Sequence, residues 1–268
     1  MLASLSMRLH INVDHVATLR NARGTPYPDP VDAARICLEA GAHGITAHLR
    51  EDRRHIVDND VERLRGQLRS VFNLEMASTD EMVGIALATH PDVVTLVPER
   101  REERTTEGGL EVANARPSLA EHVAALRAAD IKVSLFIAPD PVQVAAAAAL
   151  GVEQIELHTG EYAHAYGFGR ASSVDLKKPM PDAAQHEHRR LADASKQAHG
   201  LGLEVAAGHG LTLRNVPALV MIPEIVELNI GHAVIADAVF MSLAGAVKAM
   251  LGAIERGSRP GEAERGHP

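Results

Sequence analysis

The chain alternates short runs rich in β-branched residues with longer amphipathic stretches, and it does so eight times in succession. The extended runs are Leu9–Val13, Gly44–His48, Phe72–Met76, Val93–Val97, Lys132–Ile137, Gln154–His158, Leu203–Ala206 and Val226–Ile230. Helical patterning fills the intervals near 30–40, 58–70, 79–89, 117–129, 141–150, 184–199, 212–221 and 233–251. A strand followed each time by a helix does not pair with its successor through a tight hairpin. The strands therefore run parallel, and the helices serve as crossovers. Eight such units in 268 residues predict an α/β fold of the (β/α)8 TIM-barrel type. It closes as a single domain and carries its site in the loops that follow the strands.

Helix boundaries support this segmentation. Asp29-Pro30 and Asp140-Pro141 each pair an N-capping carboxylate with Pro at the first helical position, and Gly41 and Gly151 stand where those helices should stop. Pro28-Asp29-Pro30-Val31 recurs as Pro139-Asp140-Pro141-Val142, and each copy leads through its glycine to a strand ending in His48 or His158. A spacing of about 110 residues is four units, which suggests two related half-barrels. The expected organisation is a flexible N-terminal extension over 1–8, the barrel over 9–251 and a flexible tail over 252–268. The segment 162–185, rich in Gly, His, Ser and Pro, is expected to be a long loop.

Composition removes several function classes. A net charge of −8 offers no basic excess to neutralise a nucleic-acid backbone, so no such partner is expected, although a local phosphate pocket is still allowed. The single cysteine, Cys37, lies inside a predicted helix; it excludes an intrachain disulfide and reads as a buried thiol rather than a nucleophile. No apolar run reaches the roughly 18 residues of a membrane span. Met1–Met7 lacks the layout of a signal peptide. The expected location is the cytoplasm, with no membrane partner.

Strand phase separates two sets of side chains. Ile11, Ile45, Leu74, Ile155, Leu157, Val205 and Leu228 form the apolar set that faces the helices. Asn12 and Asp14, Thr46 and His48, Asn73 and Glu75, Glu156 and His158, Glu204, and Glu227 with Asn229 point into the barrel or line its upper rim. Burying carboxylates costs several kcal/mol each unless they are paired or protonated, so a chain that repeats the arrangement has a use for it. Glu204 and Glu227 sit low in their strands, and for them a purely bracing role is equally open.

Three elements at strand ends concentrate chemistry. Asn12-Val13-Asp14-His15, followed by Arg20 and Arg23, comes after strand one. His48-Leu49-Arg50-Glu51-Asp52-Arg53-Arg54-His55 comes after strand two, with Asp52, Arg53 and Arg54 equally readable as solvated surface. Imidazoles suit proton transfer near neutral pH, and guanidinium groups fork onto phosphate or carboxylate oxygens. Gly208-His209-Gly210 after strand seven and Gly231-His232 after strand eight, the latter opening the last helix, form the kind of turn where backbone N–H groups and a helix N-terminus hold a phosphate. No His-x-His ends strand one and no His-Glu-x-x-His occurs, and no metal is expected.

Taken in order, these blocks resemble the pyridoxine 5′-phosphate synthase family from about Leu9 to Met250. They include Asn12 through Thr25, His48 through His55, Asn73-Leu74-Glu75-Met76, Val97-Pro98-Glu99 continuing to Thr105-Thr106-Glu107-Gly108-Gly109-Leu110, Ala207 through Leu211, and Leu228 through His232. The resemblance implies condensation of two phosphorylated small molecules, 1-deoxy-D-xylulose 5-phosphate and 3-amino-2-oxopropyl phosphate. The products would be pyridoxine 5′-phosphate, phosphate and water, formed with no cofactor by an enzyme that assembles as a homo-octamer. It further implies that His48 and Glu75 accept protons, that His209 donates one, and that Glu156 stabilises the transition state. Asn12, Gly210, Gly231 and His232 would hold the amino-ketone phosphate. Asp14, His15, Arg50, His55 and Thr105 would contact the sugar phosphate, and Arg23 would help bind a substrate. Ala206 and Ala138 depart from the family's usual Asn and Asp, and the 162–185 segment is longer than usual. Two alternatives stay open on the residues alone: another phosphosugar isomerase or aldolase barrel, and a barrel that only binds a phosphate ligand as a sensor.

Overall fold

The computed structural model describes residues 7–99, 108–167 and 179–258. Its strands are β1 (Arg8–Asn12), β2 (Gly44–His48), β3 (Val71–Met76), β4 (Val93–Leu96), β5 (Lys132–Ile137), β6 (Gln154–His158), β7 (Glu204–Gly208) and β8 (Ile225–Ile230). Each pairs in parallel with the next, and β8 returns to β1 to close the barrel in sequence order. The helices are α1 (Asp14–Arg23), α2 (Pro30–Glu39), α3 (Asp58–Gln67), α4 (Asp80–Thr89), α5 (Pro117–Ala128), α6 (Pro141–Ala149), α7 (Gly160–Tyr166), α8 (Asp182–Gly200), α9 (Val216–Leu219), α10 (His232–Met241) and α11 (Leu243–Ser258).

The repeated caps form in the same way in both halves. Asp29 accepts the N–H of Val31 at 2.9 Å and Asp140 that of Val142 at 2.7 Å, each with Pro at the first helical position. The apolar strand set joins one hydrophobic cluster with helix residues such as Cys37, Leu64, Leu126 and Met250. Burial pushes the Cys37 thiol up to about 12, so it is an inert part of this layer.

Several boundaries differ from the sequence expectation. α1 begins two residues after β1, where the pattern leaves a loop. The single helix expected over 233–251 is two, broken at Ser242 with φ +68°. The expected loop at 162–185 is partly helical. Its first residues belong to α7, because Tyr162 is buried and donates its hydroxyl to the Asn215 carbonyl at 2.7 Å, and its last belong to α8. Residues 168–178 of that segment lie outside the described residues. The expected tail from 252 begins inside α11, which continues to Ser258 with Ala253 and Ile254 buried. Arg8, assigned to the N-terminal extension, is the first residue of β1. Residues 1–6 and 259–268 are outside the described residues.

At the N-terminal end of the barrel the low carboxylates brace the strands. Arg8 donates to Glu227 at 3.0 Å and pairs with Glu204, which also accepts from Lys132 at 2.7 Å and Gln154 at 3.0 Å. Five strands are thereby tied by charge-assisted bonds away from the catalytic face. Just above, the buried His10 ring fills the space over Gly44: a Cβ there would stand 2.6 Å from His10 Nε2. The ring is buried and would have to shift, so Gly44→Ala should destabilise the protein by about 1–3 kcal/mol. Thermal unfolding would show this as a fall of about 2–4 °C per kcal/mol, and an unchanged Tm would mean that the inner layer yields.

Candidate active site

One cavity of about 580 Å³ opens at the C-terminal ends of the strands. Asn12, Asp14, His15, His48, Arg50, His55, Glu75, Glu156, His209, Gly210, Gly231 and His232 all line it. Two residues from the sequence set do not join them. Arg23 is exposed at the far end of α1, where nine residues of helix carry it about 13 Å along the axis from Asp14. Thr105 lies outside the described residues.

The β1 end is a small hydrogen-bonded frame. Asp14 accepts the Asn12 side-chain amide at 2.9 Å through one oxygen and the backbone N–H of His48 at 2.8 Å through the other, while its own N–H donates to Asn12 Oδ1 at 2.9 Å. A single carboxylate thus locks α1 and β1 to the tip of β2. A second chain crosses the barrel: Thr46 donates to Asn229 at 2.9 Å, and Asn229 donates to Glu156 at 2.7 Å. Ala206, which stands beside Glu156 in register, is buried at the same level of the barrel.

Burial dominates the electrostatics. Glu75 is pushed well above the usual carboxylate range by desolvation, with Glu156 and Asp14 adding negative charge nearby. Glu156 is raised to about 8 by desolvation and by Glu227, against the stabilising amide of Asn229. His209 is pulled down to about 4 by burial and by its neighbour His158, whose ring centroid is 4.9 Å away; Glu161 opposes the shift. His15 and His55 are also lowered, chiefly by burial. Burial thus favours the protonated carboxyl at Glu75 and Glu156 and the neutral imidazole at His15, His55 and His209, a set of groups poised to exchange protons.

The His209 turn is held in an uncommon conformation. His209 and Gly210 both have positive φ, +83° and +76°, and the buried Thr159 hydroxyl lies 2.7 Å from the Gly208 carbonyl and 2.6 Å from that of His209. Facing this turn, α10 begins at His232 with Gly231 as an N-cap that supplies no side-chain hydrogen bond. Gly231, His232 and Ala233 line the cavity, so the first-turn N–H groups are presented to an anion there. The His15 and His232 rings meet edge to face at 4.9 Å.

Some neighbours were not singled out by residue type. Glu99 bonds to His48 Nε2 at 2.8 Å and accepts the Glu51 N–H at 3.1 Å. Its signal was available, since a carboxylate just past strand four is the same pattern as Asp14 past strand one. Phe136 and Thr18 also line the cavity, and Phe136 packs edge-on against His158 at 5.4 Å. Phe136 shares the inner phase of β5 with Lys132 and Ser134, which is the pattern that would have found it. Of the ambiguous charge run, Arg54 reaches the cavity lining, whereas Arg53 pairs with Asp58 and Glu81 on the surface. Arg20 grips Asp60 with two bonds of 2.7 and 2.8 Å and serves as a clamp between α1 and α3.

Asp14, His48 and Glu75 each bring one potential metal-ligand atom within 4.8 Å of the others. Both Asp14 oxygens already accept hydrogen bonds, His48 Nε2 faces Glu99, and burial favours the protonated form of Glu75, so the trio is better furnished for proton exchange than for a cation.

Residues 9–256 match the family described as Pyridoxal phosphate biosynthesis protein PdxJ. The chain belongs to that family. It is 54% identical over 251 residues to the pyridoxine 5′-phosphate synthase of Xanthobacter autotrophicus, covering 94% of each chain. It is 53% identical over 244 residues to the enzyme of the same name from Roseobacter denitrificans, covering 91% of this chain and 94% of that one. Among solved structures, phosphoribosyl anthranilate isomerase from Thermus thermophilus superimposes with a TM-score of 0.55 at 13% identity, over 93% of this chain and 98% of that one. That likeness concerns the barrel alone.

The raised pKa of Glu156 makes a signed prediction. Its protonated form contributes stability that is complete below the ordinary carboxylate range and is lost as the pH rises through about 8. Glu156→Gln, which cannot ionise, should lose less thermal stability than the parent between about pH 5 and pH 8. Parallel Tm-against-pH curves would show that Glu156 is not held protonated.

Proposed function

We propose that this chain is a pyridoxine 5′-phosphate synthase, condensing 1-deoxy-D-xylulose 5-phosphate with 3-amino-2-oxopropyl phosphate to pyridoxine 5′-phosphate, phosphate and water. One observation carries the reading: anion-binding groups fall in two sets around one cavity whose floor is made of acids and bases. Arg50 and His55 form the first set after β2. The Gly210 turn and the open start of α10 form the second, after β7 and β8. A single-phosphate isomerase or aldolase has no need of both, and a sensor has no need of the proton-exchanging floor.

The chemistry suits these residues. Imine formation, enolisation, phosphate loss and aldol closure each move protons, and a closed cavity can reuse the same groups. His48 would accept protons, as would Glu75 once it has released the proton that burial favours, and Glu156 would stabilise developing charge. His209 is neutral in the empty site, and the negative charge of an arriving phosphate favours its protonated ring, which suits a donor. Asn12, Gly210, Gly231 and His232 would hold the amino-ketone phosphate; Asp14, His15, Arg50, His55 and Thr105 would hold the sugar phosphate. Arg23 is too far along α1 to serve the cavity of its own chain, so its assigned role requires another chain or a rearrangement. A homo-octamer acting in the cytoplasm completes the proposal.

The test is a mass-spectrometric assay of metal-stripped protein with both substrates together and with each alone. Pyridoxine 5′-phosphate from the pair only is expected; no product from folded protein would overturn the reading. His48→Asn and Glu75→Gln should each lower turnover by about 10²-fold or more, and near-normal rates in either variant would remove that residue from its role.

A further inference from the structure

We propose that Glu99 is a positioning residue for proton transfer: its carboxylate holds His48 in the Nε2–H tautomer and so presents Nδ1 toward Glu75. The inference deepens the reading of His48 as a proton acceptor and rests on it. Glu99 does not itself line the cavity and acts through the imidazole.

The geometry is specific. Glu99 lies in the loop after β4, yet its side chain is only 5% exposed, and both of its oxygens face donors from the end of β2 and the loop that follows it. One faces His48 Nε2 at 2.8 Å; the other accepts the Glu51 N–H at 3.1 Å. Burial alone would push this carboxyl up, but the hydrogen bond and charge of His48, the Glu51 amide and Arg50 hold it below its usual range. An ionised carboxylate can only accept, so the proton on Nε2 belongs to His48. That leaves the Nδ1 lone pair 3.9 Å from Glu75 Oε2. The main chain of His48 is pinned as well, its N–H donated to Asp14.

The charged and titratable groups facing the ring are thus Asp14 at the start of α1, Glu75 on β3, Glu99 after β4, and Arg50 and His55 after β2. The His55 ring is 6.0 Å away. Among the described residues only Glu99 engages a ring nitrogen at hydrogen-bond distance. A carboxylate on one imidazole nitrogen selects the tautomer, orients the ring and makes the other nitrogen more basic.

Two variants separate these effects. Glu99→Gln keeps a carbonyl oxygen for Nε2–H but removes the charge that favours the protonated ring. The expected result is a fall in kcat of about tenfold and an acidic limb of the kcat profile displaced to lower pH. Glu99→Ala removes the acceptor, and kcat should fall about a hundredfold with KM held within about threefold. The tautomer is read directly from 15N chemical shifts of histidine-labelled protein, the His48 signals being those missing from His48→Asn. The parent should show a protonated Nε2, and Glu99→Ala should lose that preference. Thermal melts show whether each variant folds. Should Glu99→Ala fail to fold, the parent spectrum and the Glu99→Gln profile decide the question. A protonated Nδ1 in the parent would overturn the proposal, as would an unshifted pH profile and unchanged kcat in Glu99→Gln. A raised KM with kcat intact would reduce Glu99 to a loop support. The 15N measurement needs no turnover, so it stands even if the synthase reading fails. Conversely, normal rates in His48→Asn would sink the acceptor role while leaving the tautomer result in place.

Discussion

The hydrogen bonds that return β8 to β1 leave the sheet without an edge and enclose an inner space only a few side chains wide. Every polar group pointing inward must then find its partner across that space, because water has little access to it. Two layers solve the problem differently. At the N-terminal end Arg8 and Lys132 neutralise Glu204 and Glu227, and the result is a brace. Nearer the catalytic face no cation of this kind stands beside Glu75 or Glu156 among the described residues, and burial favours their protonated forms instead. The same residue type is structural at one depth and reactive at another. The difference lies in whether a counter-charge is supplied.

This arrangement makes the cavity far less charged than its formal composition suggests. His15, His55 and His209 are driven toward neutrality mainly by desolvation, and the acids toward protonation by the same cause. Bringing a phosphate into such a space changes the protonation of what surrounds it, since each new negative charge favours imidazolium and disfavours carboxylate. Binding and proton inventory are coupled without any moving part.

Support for the site comes from residues that never reach the cavity. Thr159 holds the left-handed turn of His209, and Tyr162 fastens α7 to Asn215, whose side chain bonds the same turn through Gly210 and Thr212. Arg20 and Asp60 bind α1 to α3, so that the helix begun at Asp14 and the loop bearing His55 share one anchor. The Arg20–Asp60, Thr159–His209 and Tyr162–Asn215 contacts link positions 40 or more residues apart in the chain.

The amino-acid sequence by itself determined the architecture and most of the cavity wall. Alternating strand and helix patterns, the duplicated Asp-Pro caps and the period of two along each strand are local properties, and local properties are legible without neighbours. They also marked Asn12, His48, Glu75 and Glu156 as inward-facing. Folding decided what depends on distance between remote segments: that Glu204 and Glu227 meet cations whereas Glu156 meets an amide, that Arg23 is carried away by a helix begun at Asp14, and that Glu99 lies against His48. Desolvation and hydrogen-bond partners are properties of a place in three dimensions. The protonation states on which the chemistry turns therefore became visible only once the barrel had closed.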